Sequence, residues 1–395
     1  MKIQAAVIFG GRSVEHEVSI ITGMQVFAAL DREKYDPVPL YIAKDGVMYS
    51  GEEFGRIESY RQMTKLLSDA RQVSVTREGG RFLLRPTAKK LFGADRPAAI
   101  DVAIPAVHGT FTEDGSLQGF LELMGIPYTG CDVLSSAVCM DKPVAKALLR
   151  ARGISVLPDR VIGKEEYESD PDAAVARLET AWEDREFYPV VVKPANLGSS
   201  VGISKADSRA KLTKAMELAF SYSSRVLIEP AVQPLREINV SVLGEGSSAR
   251  ASVCEEPIGS DEILSYQDKY QSGGKAAKNA GMSSARRVIP AEIPDETAQS
   301  ARGMALRAFS ALGCAGVVRV DFLLDGKNGG LYVNELNTLP GSMAFYFWEK
   351  TGLTFAAMLD EMISLAFARQ RERGNMTFSY STNLLSTAEF GTKGE

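Results

Sequence analysis

Histidine and cysteine are both scarce in this chain. Two histidines, His16 and His108, in 395 residues exclude a histidine-rich metal centre. The four cysteines, Cys131, Cys139, Cys254 and Cys314, lack the paired spacing of a zinc site and have no secretory context, so reduced thiols and a cytoplasmic location are expected. No apolar run approaches a membrane span, and Met1–Phe9 enters an apolar strand without the parts of a signal peptide. Basic excess is missing too. A net charge of −5 and a pI near 5.5 argue against nucleic acid or an anionic membrane surface as partner.

What is present is an ordinary globular composition, 45% hydrophobic and 24% charged, with length for two or three domains. Ile3–Phe9 reads as a buried strand that breaks at Gly10-Gly11 and feeds a helix from about Glu17 to Leu30. The glycine turn matches neither GxGxxG nor the P-loop pattern. Glu15 in that turn suits a ligand ammonium, or merely complements the helix dipole. Strands at Val38–Ile42, Phe82–Leu84 and Ala99–Val107 alternate with helices, the pattern of an α/β domain whose ligands meet loops at the carboxyl ends of strands. Glu15 and His108 both follow such ends. The segment 51–90 reads as an insertion with a helix and a strand.

Asp141-Lys-Pro starts a helix with Asp141 as N-cap. Pro189–Lys193 is a buried strand ending in lysine, followed by a small-residue loop through Gly202 whose N–H groups and serines suit phosphate oxygens; a plain glycine turn is the alternative. The stretch 257–290 is rich in Ser, Gly, Lys and Asp, and so long a loop reads as a lid or binding loop. Val317–Ser342 reads as a hairpin around Asp325–Gly330. Symmetry about Asn328 sets Asp321 opposite Glu335 and Arg319 opposite Asn337. Facing carboxylates with a carboxamide suit Mg²⁺, and the guanidinium suits a phosphate or carboxylate; a solvated hairpin face is the alternative.

Taken together these segments resemble the ATP-grasp superfamily and, within it, the D-alanine–D-alanine ligases. The matching stretches are GGRSVEHEVS, HGTFTEDGSLQGFLELMGIPYTG, CMDK, VVVKPANLGSSVG, DKY, and RVDF followed by NELNTLPGS, in the family's order. The resemblance implies an α/β chain of three domains: an open amino-terminal α/β domain at 1–141 on the first-substrate side, a central ATP-grasp subdomain at 142–233, and a carboxy-terminal one at 234–371 with a lid at 257–290, then a tail at 372–395. It implies ATP held by Lys142 and Lys193, by Ser199 and Ser200 in the covering loop, by the hinge Glu229 to Val232, by Glu237 at the ribose, and by Lys269 at the γ-phosphate. Asp321, Glu335 and Asn337 would hold two Mg²⁺, with Mn²⁺ as a substitute. Glu15 would hold the first amino acid's ammonium, linked through Ser199 and Tyr270 to the lid, with His108 alongside. Arg319 and the Gly341 N–H would form the oxyanion site.

That inventory implies ligation of two D-alanines through an acyl phosphate, for peptidoglycan synthesis, in a cytoplasmic homodimer. One stretch departs from the family. Where the family carries a serine that holds the second substrate's carboxylate, this chain has Tyr346, in Ser342-Met-Ala-Phe-Tyr-Phe-Trp. D-Serine, D-lactate or another amino acid therefore stand as alternative acceptors, with D-lactate disfavoured by the Lys269-Tyr270 pair. A regulatory nucleotide-binding protein without turnover would lack a metal or phosphate ligand, and none of Lys142, Lys193, Asp321, Glu335 or Asn337 is missing.

Overall fold

The apolar amino-terminal run forms the strand Ile3–Gly10, buried from Ala5 onward and paired in parallel with Tyr35–Ile42 and Val102–Pro105. A computed structural model describes residues 2–88, 97–180, 182, 186–258, 287–379 and 381 of the protein. The stretch 51–90 supplies the helix Met63–Asp69 and a hairpin, Arg71–Glu78 with Arg81–Pro86, that carries the sheet on to Ala98–Ile100. Asp101 interrupts what reads in sequence as one strand, bonding the Gln4 backbone at 2.8 Å in both directions. The pieces on either side of it occupy opposite ends of the seven-strand order, so the sheet curls on itself.

The second sheet has four antiparallel strands, in the order Ser204–Ala206, Val190–Pro194, Arg225–Pro230, Arg160–Gly163. The third has five, in the order Arg287–Val288, Arg250–Pro257, Leu235–Glu245, Ala315–Asp325, Leu331–Asn337. Val318, Val320, Phe322 and Leu324 occupy one face of Ala315–Asp325 and are buried with Ala305 and Phe309 of the helix Asp295–Ala311. Each such side chain stabilises the fold by about 2 kcal/mol. Asp141 caps the helix Lys142–Ala151, its carboxylate accepting the Val144 N–H at 3.1 Å.

The last helix, Phe355–Gly374, runs past the expected domain limit at 371, and its end is tied to the amino-terminal domain. Arg369 donates to the Tyr128 and Gly130 carbonyls at 2.6 and 2.9 Å, and Arg373 pairs with Glu122 at 2.5 Å. Met358, Leu359 and Met362 share one buried cluster with Val7 and Ile104.

Candidate active site

The hairpin has the expected pairing at its working end: Arg319 faces Asn337 and Asp321 faces Glu335. Past Asp321 the register slips, so Phe322 faces Val333 and Asn334 is the extra residue of a bulge. The bulge matters because Asn334 and Glu335 both line a cavity of about 270 Å³ between the second and third sheets. Lys142, Lys193, Ser200 and Asp321 line it too, as do Glu229, Val232 and Glu237. Leu157, Val191, Ile203, Phe322 and Leu323 add apolar wall suited to a flat ring.

The charges in this cleft are satisfied within the protein. Lys193 Nζ reaches Glu229 Oε2 at 2.5 Å and Asn334 Oδ1 at 2.7 Å. Glu229 also pairs with Lys146, and all three charged groups are buried. Its carboxylate is therefore engaged by two lysines. Lys142 Nζ donates to the Leu197 carbonyl at 2.6 Å and lies 3.2 Å from Glu335 Oε2. Arg319 grips Asp321 with two bonds, 2.6 and 2.7 Å, and Asn337 Nδ2 donates to the same carboxylate at 3.0 Å. Burial works against the charge on Arg319, and Asp321 more than restores it, holding its pKa well above the ordinary value.

Among the described residues no three His, Cys, Asp or Glu side chains form a metal-binding group. The set at this hairpin instead offers two facing carboxylates and the Asn337 carboxamide, hard oxygens of the kind Mg²⁺ takes. Arg319 and Lys142 hold those carboxylates in this structure, so a divalent ion bound there would share or displace these two cations.

A second, small cavity of about 30 Å³ is lined by Glu15, His108, Ser199, Arg319, Asn337 and Gly341, with Glu335 common to both cavities. Glu15 is the N-cap residue of the helix His16–Ala29, yet its side chain makes no capping bond; it is buried and accepts the Ser199 hydroxyl. Ser199 and Ser200 have φ of 54° and 57°, left-handed values that side chains rarely adopt outside functional loops. Two glycines make room for the Glu15 carboxylate. A Cβ at Gly109 would lie 2.8 Å from Oε2, and one at Gly198 3.0 Å.

His108 is locked from both sides. The Leu339 carbonyl, 2.8 Å from Nδ1, can only accept, which puts the proton on Nδ1; Nε2 then accepts the Thr22 hydroxyl at 2.8 Å. Burial, aided by Arg319, pushes its pKa down to about 4, so the ring is neutral. Glu113 also lines the small cavity and had no role in the sequence reading. Its oxygens accept the N–H groups of Gly109 at 2.7 Å and Leu339 at 3.2 Å. Burial, and then the neighbouring Glu15, push its pKa up to about 8.

Tyr346 lines neither cavity. It is buried under the Arg287 guanidinium, 3.9 Å from the ring centre, and Arg287 is 2.9 Å from Glu255. Lys269 and Tyr270 lie outside the described residues, as does most of the stretch 257–290. Of the residues the sequence reading passed over, Lys146 had a signal, standing four positions after Lys142 on one helix. Glu113 lay in plain view in the turn after His108. Asn334 had none, since a bulge leaves no mark in a period-two pattern.

Two family models match the chain: D-ala D-ala ligase N-terminus over residues 4–131 and D-ala D-ala ligase C-terminus over residues 148–364. A D-alanine–D-alanine ligase of Chlorobium limicola is 38% identical, covering 94% of this chain and 99% of its own length. One from Thermosipho africanus is 36% identical, covering 97% and 98%. Among solved structures, the D-alanine–D-alanine ligase from Coxiella burnetii superposes with a TM-score of 0.75 at 30% identity, covering 94% of this chain and 96% of that one. VanG, a D-Ala:D-Ser ligase from Enterococcus faecalis, does so with 0.75 at 31% identity, covering 93% and 100%. The architecture is that of the ATP-grasp fold.

Proposed function

This chain belongs to the D-alanine–D-alanine ligase family, and we propose that it joins two D-alanines with ATP, giving D-alanyl-D-alanine, ADP and phosphate for peptidoglycan synthesis. The observation that carries the reading is the meeting of the two cavities at Glu335, a lysine-lined cleft on one side and the Glu15–Arg319 cavity on the other. A family structure from Bacillus anthracis, 26% identical with a TM-score of 0.63, is described as complexed with ATP, which supports ATP as the nucleotide.

In this reading Lys142 and Lys193 turn from Glu335 and Glu229 toward the phosphates, and the backbone of Glu229 to Val232 meets the adenine. Glu237 takes the ribose, and the loop bearing Ser199 and Ser200 covers the phosphates. Glu15, buried beside Ser199, takes the ammonium of the first D-alanine. The carboxylate oxygen of that D-alanine attacks the γ-phosphorus, and the bridging oxygen leaves with ADP. The second amine attacks the acyl carbon, and the tetrahedral oxyanion forms toward Arg319 and the Gly341 N–H before phosphate departs. Asp321, Glu335 and Asn337 would hold Mg²⁺ or Mn²⁺, which would supply positive charge to the transferring phosphoryl group. The domain limits at 142 and 234, a cytoplasmic location and a homodimer complete the proposal.

A second acceptor is favoured by one observation. Tyr346, covered by Arg287, stands where the family has its carboxylate-binding serine, and VanG is a D-Ala:D-Ser ligase. Phosphate release with ATP and Mg²⁺ across D- and L-amino acids and D-lactate separates the readings. Release with D-alanine alone is expected. Release only when D-alanine is mixed with D-serine points to the second reading, and no release with D-alanine in any pairing contradicts both.

A further inference from the structure

The segment that carries Gly341 is held from outside its own sheet. Leu339 gives its N–H to Glu113 Oε1 at 3.2 Å and takes the His108 Nδ1 proton on its carbonyl at 2.8 Å. Ser342 gives its N–H to Thr22 Oγ1 at 3.2 Å. Thr22 in turn donates its own proton to His108 Nε2, and Glu113 ties back to the Gly109 N–H. Every donor in this set points one way, so no hydroxyl or imidazole proton is contested. Thr22, His108 and Glu113 are all buried and come from the helix and loop beside the first sheet.

Pro340 and Gly341 lie between the two held residues, and the turn after them has one backbone bond of its own, from the Met343 N–H to the Pro340 carbonyl at 2.7 Å. Ser342, Met343 and Ala344 have φ of 54°, 50° and 51°, three consecutive left-handed residues without a glycine. Each is a backbone conformation that side chains disfavour, so the turn persists only where its surroundings over-determine it. The bonds to Leu339 and Ser342 are that constraint, together with burial of Met343 and Ala344 in the cluster of Val7 and Ile104.

We infer that Thr22, His108 and Glu113 are positioning residues that set the Gly341 N–H for the oxyanion of the amide-forming step. The inference rests on the ligase reading and adds a division of labour to it. Phosphorylation of the first carboxylate does not use this N–H; attack by the second amine does. Loosening the clamp should therefore slow the second half-reaction and spare the first.

The test uses the full chain and two readouts. Dipeptide formation reports the whole reaction; migration of ¹⁸O between the bridge and non-bridge positions of labelled ATP, with D-alanine, reports the phosphorylation step. Thr22→Val, which keeps volume and removes the hydroxyl, is expected to lower kcat for dipeptide about tenfold to a hundredfold, with isotope exchange and the KM for D-alanine within about twofold of wild type. Thr22→Ser should restore most of the loss. Glu113→Ala should act like Thr22→Val, and Glu113→Gln, which retains one accepting oxygen, should lose less. Parallel loss of both readouts, unchanged kcat, or a serine variant no better than valine overturns the inference. Wild-type protein that makes no dipeptide overturns the ligase reading, and this inference with it.

Discussion

The hairpin Arg319–Asn337 and the stretch Ser342–Trp348 are near neighbours in sequence, and they are held in opposite ways. The hairpin is antiparallel backbone with one bulge, so pairing between its own strands places Arg319, Asp321, Glu335 and Asn337. The stretch after Gly341 turns through three left-handed residues into the short helix Phe345–Glu349, and its positions come from Thr22, from Arg287 and from a core shared with the first sheet. Where local pairing rules, a substitution changes chemistry and leaves the fold. Where distant partners rule, a substitution changes both.

The largest effect is expected on the hairpin. Glu335→Gln should lower turnover about a thousandfold, by removing a charged ligand of the divalent ion, and leave the thermal unfolding midpoint nearly unchanged. Steady-state phosphate release and circular dichroism check the two halves; retained activity at ordinary Mg²⁺ breaks the assignment. Next is Lys193→Met. It leaves Glu229 with Lys146 alone in a buried setting, and a urea titration should show about 3 kcal/mol lost.

A smaller effect depends on pH. Glu113 has a folded pKa near 8 against an ordinary value near 4.5, so between those values the folded state holds a proton the unfolded state has released. Its contribution to stability is fully present below pH 4.5 and is lost as pH rises through 8, a few kcal/mol at most. Glu113→Gln should flatten that part of the stability-against-pH curve, and an unaltered curve removes Glu113 as its source. The smallest change is expected for Tyr346→Phe, which keeps the ring under Arg287. Stability should move by less than about 1 kcal/mol, and the ratio of kcat/KM for D-alanine and D-serine as acceptors by less than tenfold. A larger swing in that ratio would make the hydroxyl the group that reads the acceptor.

Much of this was legible before any coordinates. The facing pairs Arg319–Asn337 and Asp321–Glu335 follow from period-two alternation and a glycine-rich turn. The strand ending in Lys193 and the capped helix after Asp141 obey equally local rules. What escaped was non-local. Lys193 is expected to have a partner, a phosphate being one choice, and in the fold it meets Glu229 and Asn334, one on another strand and one at a bulge. Glu113 gains its place only when the loop after His108 meets Leu339 across 226 positions of sequence. The stretch 51–90 looked idle because its work is to complete a sheet whose other strands lie elsewhere in the chain.

The central claim is that ATP activates the first substrate's carboxylate, and isotope transfer tests it most directly. With ATP, Mg²⁺ and D-alanine carrying ¹⁸O in its carboxyl group, the account predicts one labelled oxygen in each phosphate released as dipeptide forms. Dipeptide formed together with unlabelled phosphate would contradict it.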